Sequence, residues 1–238
     1  MTGRQTQIGK RVWTWAAILT VIVFIYPIEN RITRIAEIAG IIIVLVGTLV
    51  FWWNKKLLRW TLILITAVLL AAVCLPGRQP QPESLAADYL NALNRFNGTR
   101  YIWGGESCLG IDCSGLVRKG FFWGEIINGL KTLNGSLVRD AINVWWHDCS
   151  AKDLGNGYDG RTIRLFEATS ILDAEYSNLQ PGDLAVVDNG IHVMAYLGNR
   201  TWIEADPNLH QVVKLTLPAD NPWVKTKAVF VRWNQLMK

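Results

Sequence analysis

The chain has 238 residues, of which 50% are hydrophobic, and a formal net charge of +5 at neutral pH. That length allows one domain of ordinary size together with an additional segment. The positive charge is confined to one end, because residues 1–77 hold 8 Lys or Arg and 2 Asp or Glu, whereas residues 78–238 hold 16 and 17. The part after residue 77 therefore has no excess of basic residues, and binding to nucleic acid is not expected.

Three long apolar stretches occupy the first 77 residues and are separated by short charged turns. They cover residues 12–28, 35–53 and 60–76, and Glu37 is the only charged residue inside them. Each has 17 to 19 residues, which is enough for a helix to cross a hydrocarbon layer of about 30 Å. We therefore predict three transmembrane helices in a membrane anchor at residues 1–77. The alternative is three buried core helices.

The basic residues around these stretches predict the orientation of the anchor. Six of them precede the first stretch or lie between the second and the third, and three lie on the other side. Because basic residues favour the cytoplasmic side, the N-terminus is expected in the cytoplasm and everything after Pro76 outside it. No small-x-small cleavage site follows Tyr26 and Pro27. The first stretch is therefore predicted to be an uncleaved anchor rather than a signal peptide.

A short linker is predicted at residues 78–83, where Pro80 and Pro82 stiffen the chain. A second domain is predicted to follow at residues 84–238.

Two helices are expected early in this domain. The first should begin after Ser84, a favourable N-cap residue, and end at Asn97–Gly98. The second should begin at Cys113, with Asp112 as its cap. A further helix is predicted at residues 138–146.

The pattern then changes to short runs of branched residues, which are typical of β-strands. These runs lie at residues 184–187, 191–197, 201–204, 212–216 and 227–233. Helices followed by a series of strands indicate an α+β domain, with a helical part packed on a small antiparallel sheet. Apart from the helix at residues 138–146, the segment 124–178 shows no clear periodicity.

A thiol, an imidazole and a carboxylate occur in an order that can build a reaction centre, at Cys113, His192 and Glu204. A free thiol has a pKa near ~8.5, so a cysteine nucleophile needs help to ionise at neutral pH. A helix N-terminus contributes only about 0.3–1 kcal/mol, whereas a nearby imidazole that accepts the proton has a larger effect. The alternatives are an inert structural thiol and a buried core histidine.

Three segments resemble the NlpC-type family of papain-like cysteine peptidases. The most specific is Tyr101–Val117, which contains Tyr-x-x-Gly-Gly and then Asp-Cys-Ser-Gly-Leu-Val. Residues 179–184 and 192–198 resemble the start of the family's sheet and its histidine strand. The resemblance covers residues 84 to 234, nearly all of the second domain.

This resemblance implies a function, a location and a set of site residues. The family hydrolyses stem-peptide amides in bacterial peptidoglycan, typically between D-glutamate and a diamino acid, without a metal or a cofactor. A domain of this kind would lie on the periplasmic or extracytoplasmic side of a bacterial cytoplasmic membrane. The catalytic residues would be Cys113, His192 and Glu204, and the substrate contacts Tyr101, Asp112, Ser114 and Arg118. Asp112 could equally be a plain helix cap, and Arg118 a solvated helix residue.

The third catalytic position departs from the family's pattern. The family most often has a second histidine twelve residues after the first, and this chain has Glu204 there. A carboxylate can accept the Nδ1 proton of His192 and hold the imidazole in place. If residues 198–200 connect two strands, Glu204 and Asp206 both share a face with His192. Glu204 is the first choice for the orienting residue, and Asp206 the second.

Two further questions remain open from the sequence. Cys108 and Cys149 could form a disulfide in an oxidising compartment or remain as free thiols. The alternatives for the function are an amidase or acyltransferase acting on another γ-glutamyl amide or a lipid amide, and a membrane scaffold without activity.

Overall fold

A computed structural model describes residues 3–237 of the chain. Its N-terminal part consists of three long helices: α1 (Gly3–Ile25), α2 (Arg31–Trp52) and α3 (Lys56–Cys74). By length and composition, each is long and apolar enough to cross a membrane. The three predicted stretches correspond to these helices and start 4 or 5 residues after the apolar spans within them, which are Gln7–Ile25, Arg31–Trp52 and Lys56–Cys74. The helices extend into flanking Lys and Arg residues, whose long side chains can reach water from a helix end.

Four shorter helices follow: α4 (Pro82–Arg95), α5 (Cys113–Lys131), α6 (Gly135–Trp146) and α7 (Ala151–Gly155). The predicted start of α4 is wrong by three residues, because Pro82 occupies the first turn, where its missing N–H costs nothing. The hydroxyl of Ser84 caps no helix and instead accepts a hydrogen bond from Asn128 Nδ2 at 2.7 Å. The linker before α4 is fastened as well, since the backbone N–H of Arg78 donates to Asn134 Oδ1 at 2.9 Å.

The chain after α7 builds a six-stranded antiparallel sheet with the order β3-β8-β4-β5-β6-β7. Its strands are β3 (Thr162–Ala168), β4 (Leu184–Val187), β5 (His192–Gly198), β6 (Thr201–Asp206), β7 (Gln211–Thr216) and β8 (Ala228–Trp233). A separate hairpin of β1 (Glu106–Ser107) and β2 (Gly110–Ile111) precedes α5. The predicted α+β class is confirmed.

Strand β3 was not predicted from the sequence. This strand lies at the edge of the sheet and is buried at Thr162 but largely exposed or half-exposed afterwards. An edge strand of this kind lacks the regular alternation of apolar and polar residues by which a strand is predicted.

Helix α5 packs against β5 and β6 and is held there by aromatic contacts. The ring of Phe121 stacks on that of Trp233 in β8, with centroids 4.1 Å apart. On another side, Gly120 and Gly124 allow close approach of α4 through Leu93 and Tyr89. This packing brings the N-terminus of α5 to the sheet near the start of β5.

Candidate active site

Cys113 is the first residue of α5, and Asp112 is its N-cap, as predicted. The Asp112 carboxylate accepts a hydrogen bond from the backbone N–H of Gly115 at 2.6 Å and from the Ser114 hydroxyl at 3.1 Å. Its other oxygen accepts from the backbone N–H of Gly104 at 2.8 Å. Both oxygens of the Asp112 carboxylate therefore accept hydrogen bonds from neighbouring residues. Asp112 acts here as a helix cap that joins the glycine-rich segment to α5.

Gly115 allows this segment to lie directly on the helix. A Cβ atom at position 115 would collide with the carbonyl oxygen of Gly105. The same carbonyl accepts a hydrogen bond from the backbone N–H of Asp112 at 3.0 Å. The spacing between the glycine pair and the cysteine in the sequence motif thus has a steric reason.

We expect Gly115→Ala to destabilise the protein by about 1–3 kcal/mol, because the added methyl group must push α5 away from Gly105. Thermal unfolding of the full chain, followed by circular dichroism, measures the change. Gly77→Ala is the control, since a Cβ there meets nothing closer than 3.4 Å. Equal melting of the two variants would show that the close approach is unimportant.

His192 opens β5 and is 2% exposed. The Cys113 side chain lies close enough to raise the pKa of the His192 ring, and the Nε2 of that ring lies 2.5 Å from Glu204 Oε2. The ring of Trp223 stacks on the imidazole, with centroids 4.6 Å apart and planes 20° apart. The structure therefore brings Cys113, His192 and Glu204 together in one chain of contacts.

The register of β5 and β6 explains why Glu204 can reach the histidine. Tyr196 is paired with Trp202, so even-numbered residues of the two strands share a face, as the sequence predicts. The nitrogen that meets the carboxylate differs from the prediction: it is Nε2, not Nδ1. Nδ1 is thus the ring nitrogen left for Cys113.

Asp206 lies close to this chain of contacts but has other partners. Its Oδ1 accepts from the backbone N–H of Asn208 at 2.6 Å, so it caps the following turn. Asn221, which sequence analysis missed, donates to Glu204 Oε1 at 2.8 Å and to Asp206 Oδ2 at 3.2 Å. Asn221 therefore holds the Glu204 carboxylate from the side opposite His192.

These contacts change the acidity of the histidine. Burial acts to lower the pKa of His192, but the hydrogen bonds with Cys113 and Glu204 outweigh it and raise the pKa to about 9. The imidazolium form is thus favoured at neutral pH. An imidazolium beside a cysteine sulfur stabilises the thiolate, which is the nucleophilic form of the side chain.

The remaining residues predicted for the site lie around a cleft of about 370 Å³ beside Cys113. Burial, followed by the nearby charges of Cys113 and Asp112, raises the pKa of Tyr101 to about 12. Tyr101 therefore lies near the nucleophile. Its hydroxyl is therefore a hydrogen-bond donor at neutral pH. Ser114 also lines the cleft and is partly exposed.

Arg118, which was predicted as a substrate contact, also lines the cleft, and the alternative of a solvated helix residue is wrong. It is 2% exposed, is ion-paired with Glu106, and donates to the carbonyl oxygen of Val144 at 2.9 Å. The burial of Arg118 could not be read from the pattern of apolar residues along α5, because its partner Glu106 lies on a different element. Asp148 and Cys149, which were not predicted for the site, complete this side of the cleft.

The four cysteines are free thiols, so the Cys108–Cys149 disulfide is absent. Cys108 is exposed and Cys149 is buried. Burial raises the pKa of Cys149 to about 12, which keeps this thiol protonated and unreactive. Among residues 3–237, no three His, Cys, Asp or Glu side chains are grouped as metal ligands.

Several solved structures are similar to this chain. The P60 domain of an antigen from Mycobacterium avium subspecies paratuberculosis is 19% identical, with a TM-score of 0.43 over 66% of this chain and 98% of that one. The peptidoglycan hydrolase RipB from Mycobacterium tuberculosis is 20% identical, with a TM-score of 0.42 over 66% of this chain and 67% of that one. An NlpC/P60 family protein from Bacillus cereus has the same identity and TM-score, and 41% of its length is covered.

No curated protein matches the chain. The sequence profile of the NlpC/P60 family matches residues 98–232, which is more than half of the chain and contains Cys113, His192 and Glu204. The chain therefore belongs to the NlpC/P60 family, a family of cysteine peptidases and peptidoglycan hydrolases.

Proposed function

We propose that this protein is a membrane-anchored cysteine peptidase that hydrolyses stem-peptide amides of peptidoglycan, between D-glutamate and the diamino acid. The observation that carries the proposal is the buried contact chain from Cys113 through His192 to Glu204 beside an open cleft. Membership of the family supplies the substrate class, and Glu204 takes the place of the family's second histidine.

The geometry supports a thioester mechanism. His192 holds the proton of Cys113, and the sulfur attacks the carbonyl carbon of the amide. The tetrahedral intermediate collapses when the imidazolium gives its proton to the departing amine, which leaves a thioester on Cys113. His192 then takes a proton from water, which attacks the thioester and releases the acid. Glu204 holds the imidazole by Nε2 in every step.

Two donors are available for the oxygen that becomes negative in the intermediate. The backbone N–H of Cys113 is at a helix start, where N–H groups have no acceptor within the helix. Tyr101 adds a hydroxyl near the same sulfur, and Ser114 contributes a polar group for the substrate. Donors placed in advance are usually worth about 10²- to 10³-fold in turnover.

The membrane topology also supports the proposal. If the three helices span a membrane, the α1–α2 loop and everything after α3 lie on the same side of it. In agreement with this, the backbone N–H of Glu29 in that loop donates to the carbonyl oxygen of Gly104 at 3.2 Å. With the excess of basic residues on the opposite side, the cleft lies outside the cytoplasm, where peptidoglycan is found.

Digestion of purified sacculi by the full chain in detergent tests the proposal. Mass spectrometry should find released fragments with a new D-glutamate carboxyl group and a new free amine on the diamino acid. Cys108→Ala is the control and should release the same fragments, because Cys108 is an exposed thiol without a role in the mechanism. Sacculi that the intact protein leaves unchanged would contradict the proposal.

The raised pKa of His192 predicts the pH dependence of the reaction. The imidazolium is present below about pH 9 and is lost above it, so kcat/KM should fall on the alkaline side with a midpoint near that value. Glu204→Gln keeps a hydrogen-bonding group but removes the charge. The midpoint of the alkaline fall in kcat/KM should therefore be lower by about 1 to 3 pH units. A wild-type midpoint near the usual histidine pKa of ~6.5 would contradict the assigned contacts.

A further inference from the structure

The loop between α1 and α2 pairs with the glycine-rich segment beside the nucleophile. Ile28 and Gly105 form an antiparallel β-bridge. The backbone N–H of Glu29 donates to the Gly104 carbonyl oxygen at 3.2 Å, and the N–H of Glu106 donates to the Pro27 carbonyl oxygen at 2.9 Å. The membrane anchor therefore adds a single β-bridge at the edge of the cleft.

Ion pairs between charged side chains hold together this junction of the α1–α2 loop and the glycine-rich segment. Arg34, in the first turn of α2, is completely buried. Its guanidinium lies 3.2 Å from Glu106 Oε2 and 2.6 Å from Asp148 Oδ1. Lys119 of α5 completes the contact, with its Nζ 2.9 Å from Glu29 Oε1. Three acidic and three basic side chains form ion pairs in this cluster: Glu29, Glu106, Asp148, Arg34, Arg118 and Lys119.

The junction is directly connected to the nucleophile. Gly104 donates its N–H to the Asp112 carboxylate, and Gly105 accepts the N–H of Asp112. Asp112 in turn caps the helix that begins with Cys113. Glu29 also lines the same cleft as Cys113, so the anchor contributes a side chain to the surface that meets the substrate.

We infer that the α1–α2 loop is a wall of the active-site cleft, and that Arg34 is a positioning residue that holds the Gly104–Glu106 segment against the helix start at Cys113. The inference rests on the proposed peptidase function, because it assigns the loop to the cleft of that enzyme. The anchor is then a working part of the catalytic unit and not only a tether. Without Arg34, Glu106 and Asp148 lose one of the two cations that they share, the other being Arg118, and the glycine-rich segment is held less firmly.

Arginine variants of the full chain in detergent test this role. Arg34→Met should slow alkylation of Cys113 by iodoacetamide, and lower kcat for a soluble stem peptide, by at least about tenfold, because small misplacements in a site are costly. Arg34→Lys should recover part of both losses, since lysine keeps the charge but not the two-pronged geometry. Arg31→Met is the matched control on the same helix, and both of its rates should remain unchanged because Arg31 is exposed.

Alkylation needs no substrate, so this readout separates the inference from the proposed function. A wild-type protein in which Cys113 is alkylated rapidly, but which cleaves no stem peptide, would contradict only the proposed function. Arg34→Met that behaves like Arg31→Met in both assays would overturn the positioning role.

A crosslink decides the matter if Arg34→Met does not fold. Glu29→Cys and Lys119→Cys, in a chain with Cys74 and Cys108 changed to serine, should be joined in native membranes by a short bifunctional maleimide. Lys131→Cys replaces Lys119→Cys in the control pair, because it lies about 18 Å further along α5. Failure of the first pair to react more than the control would overturn the inference.

Discussion

Replacement of Cys113 by alanine should lower kcat/KM for stem-peptide hydrolysis by at least about 10⁴-fold, because loss of a covalent nucleophile removes the whole pathway through the acyl-enzyme. No other thiol can take over. Cys149 lines the same cleft, but burial raises its pKa to about 12, and Cys108 is an exposed residue outside the contact chain. Steady-state kinetics on a synthetic stem peptide measure the loss.

Cys108→Ala and Cys149→Ala are the matched comparisons for this variant. The first should retain full activity, and the second should retain most of it, because a protonated thiol contributes only packing at the cleft wall. Activity in Cys113→Ala close to that of the wild type would mean that the sulfur is not the nucleophile.

Glu204→Ala should lower kcat by about 10²- to 10⁴-fold, in the range known for residues that orient a catalytic histidine. Its carboxylate is the group that meets His192 Nε2, and it is completely buried. Asp206→Ala should have a much smaller effect on kcat, because Asp206 holds the turn at Asn208 and contacts the site only through Asn221.

The comparison of these two variants separates orientation from stability. Both side chains are buried beside Asn221, so both variants should unfold at lower temperature, and kcat must be measured well below each melting point. A larger loss of kcat in Asp206→Ala than in Glu204→Ala would transfer the orienting role to Asp206.

Local patterns were sufficient to predict the parts of the site that depend on neighbouring residues in the sequence. The Asp112 cap and the helix start at Cys113 follow from short-range chemistry. The shared face of His192 and Glu204 follows from the alternation of a β-strand. The ring nitrogen that meets Glu204 could not be predicted, because it depends on the rotation of the imidazole between Cys113 and β6.

Several residues that reach the site from loops and from the N-terminal helices were not predicted. Asn221 and Trp223 lie in a loop between β7 and β8, where sequence periodicity carries no information. The loop does contain an Asn-Pro pair, which marks a turn, but this signal says nothing about contact with His192. Arg34 and Glu29 lie in the short charged turn between the first two apolar stretches, and helical hydropathy does not show what a charge at a helix end contacts.

The activation of Cys113 by His192 is tested most directly by the rate of Cys113 alkylation as a function of pH, in the full chain and in His192→Ala. The contact chain predicts rapid reaction at neutral pH and a fall of at least about tenfold in the variant, whose thiol lacks the imidazole that accepts its proton. Wild-type and variant rates that coincide across the pH range would contradict the account.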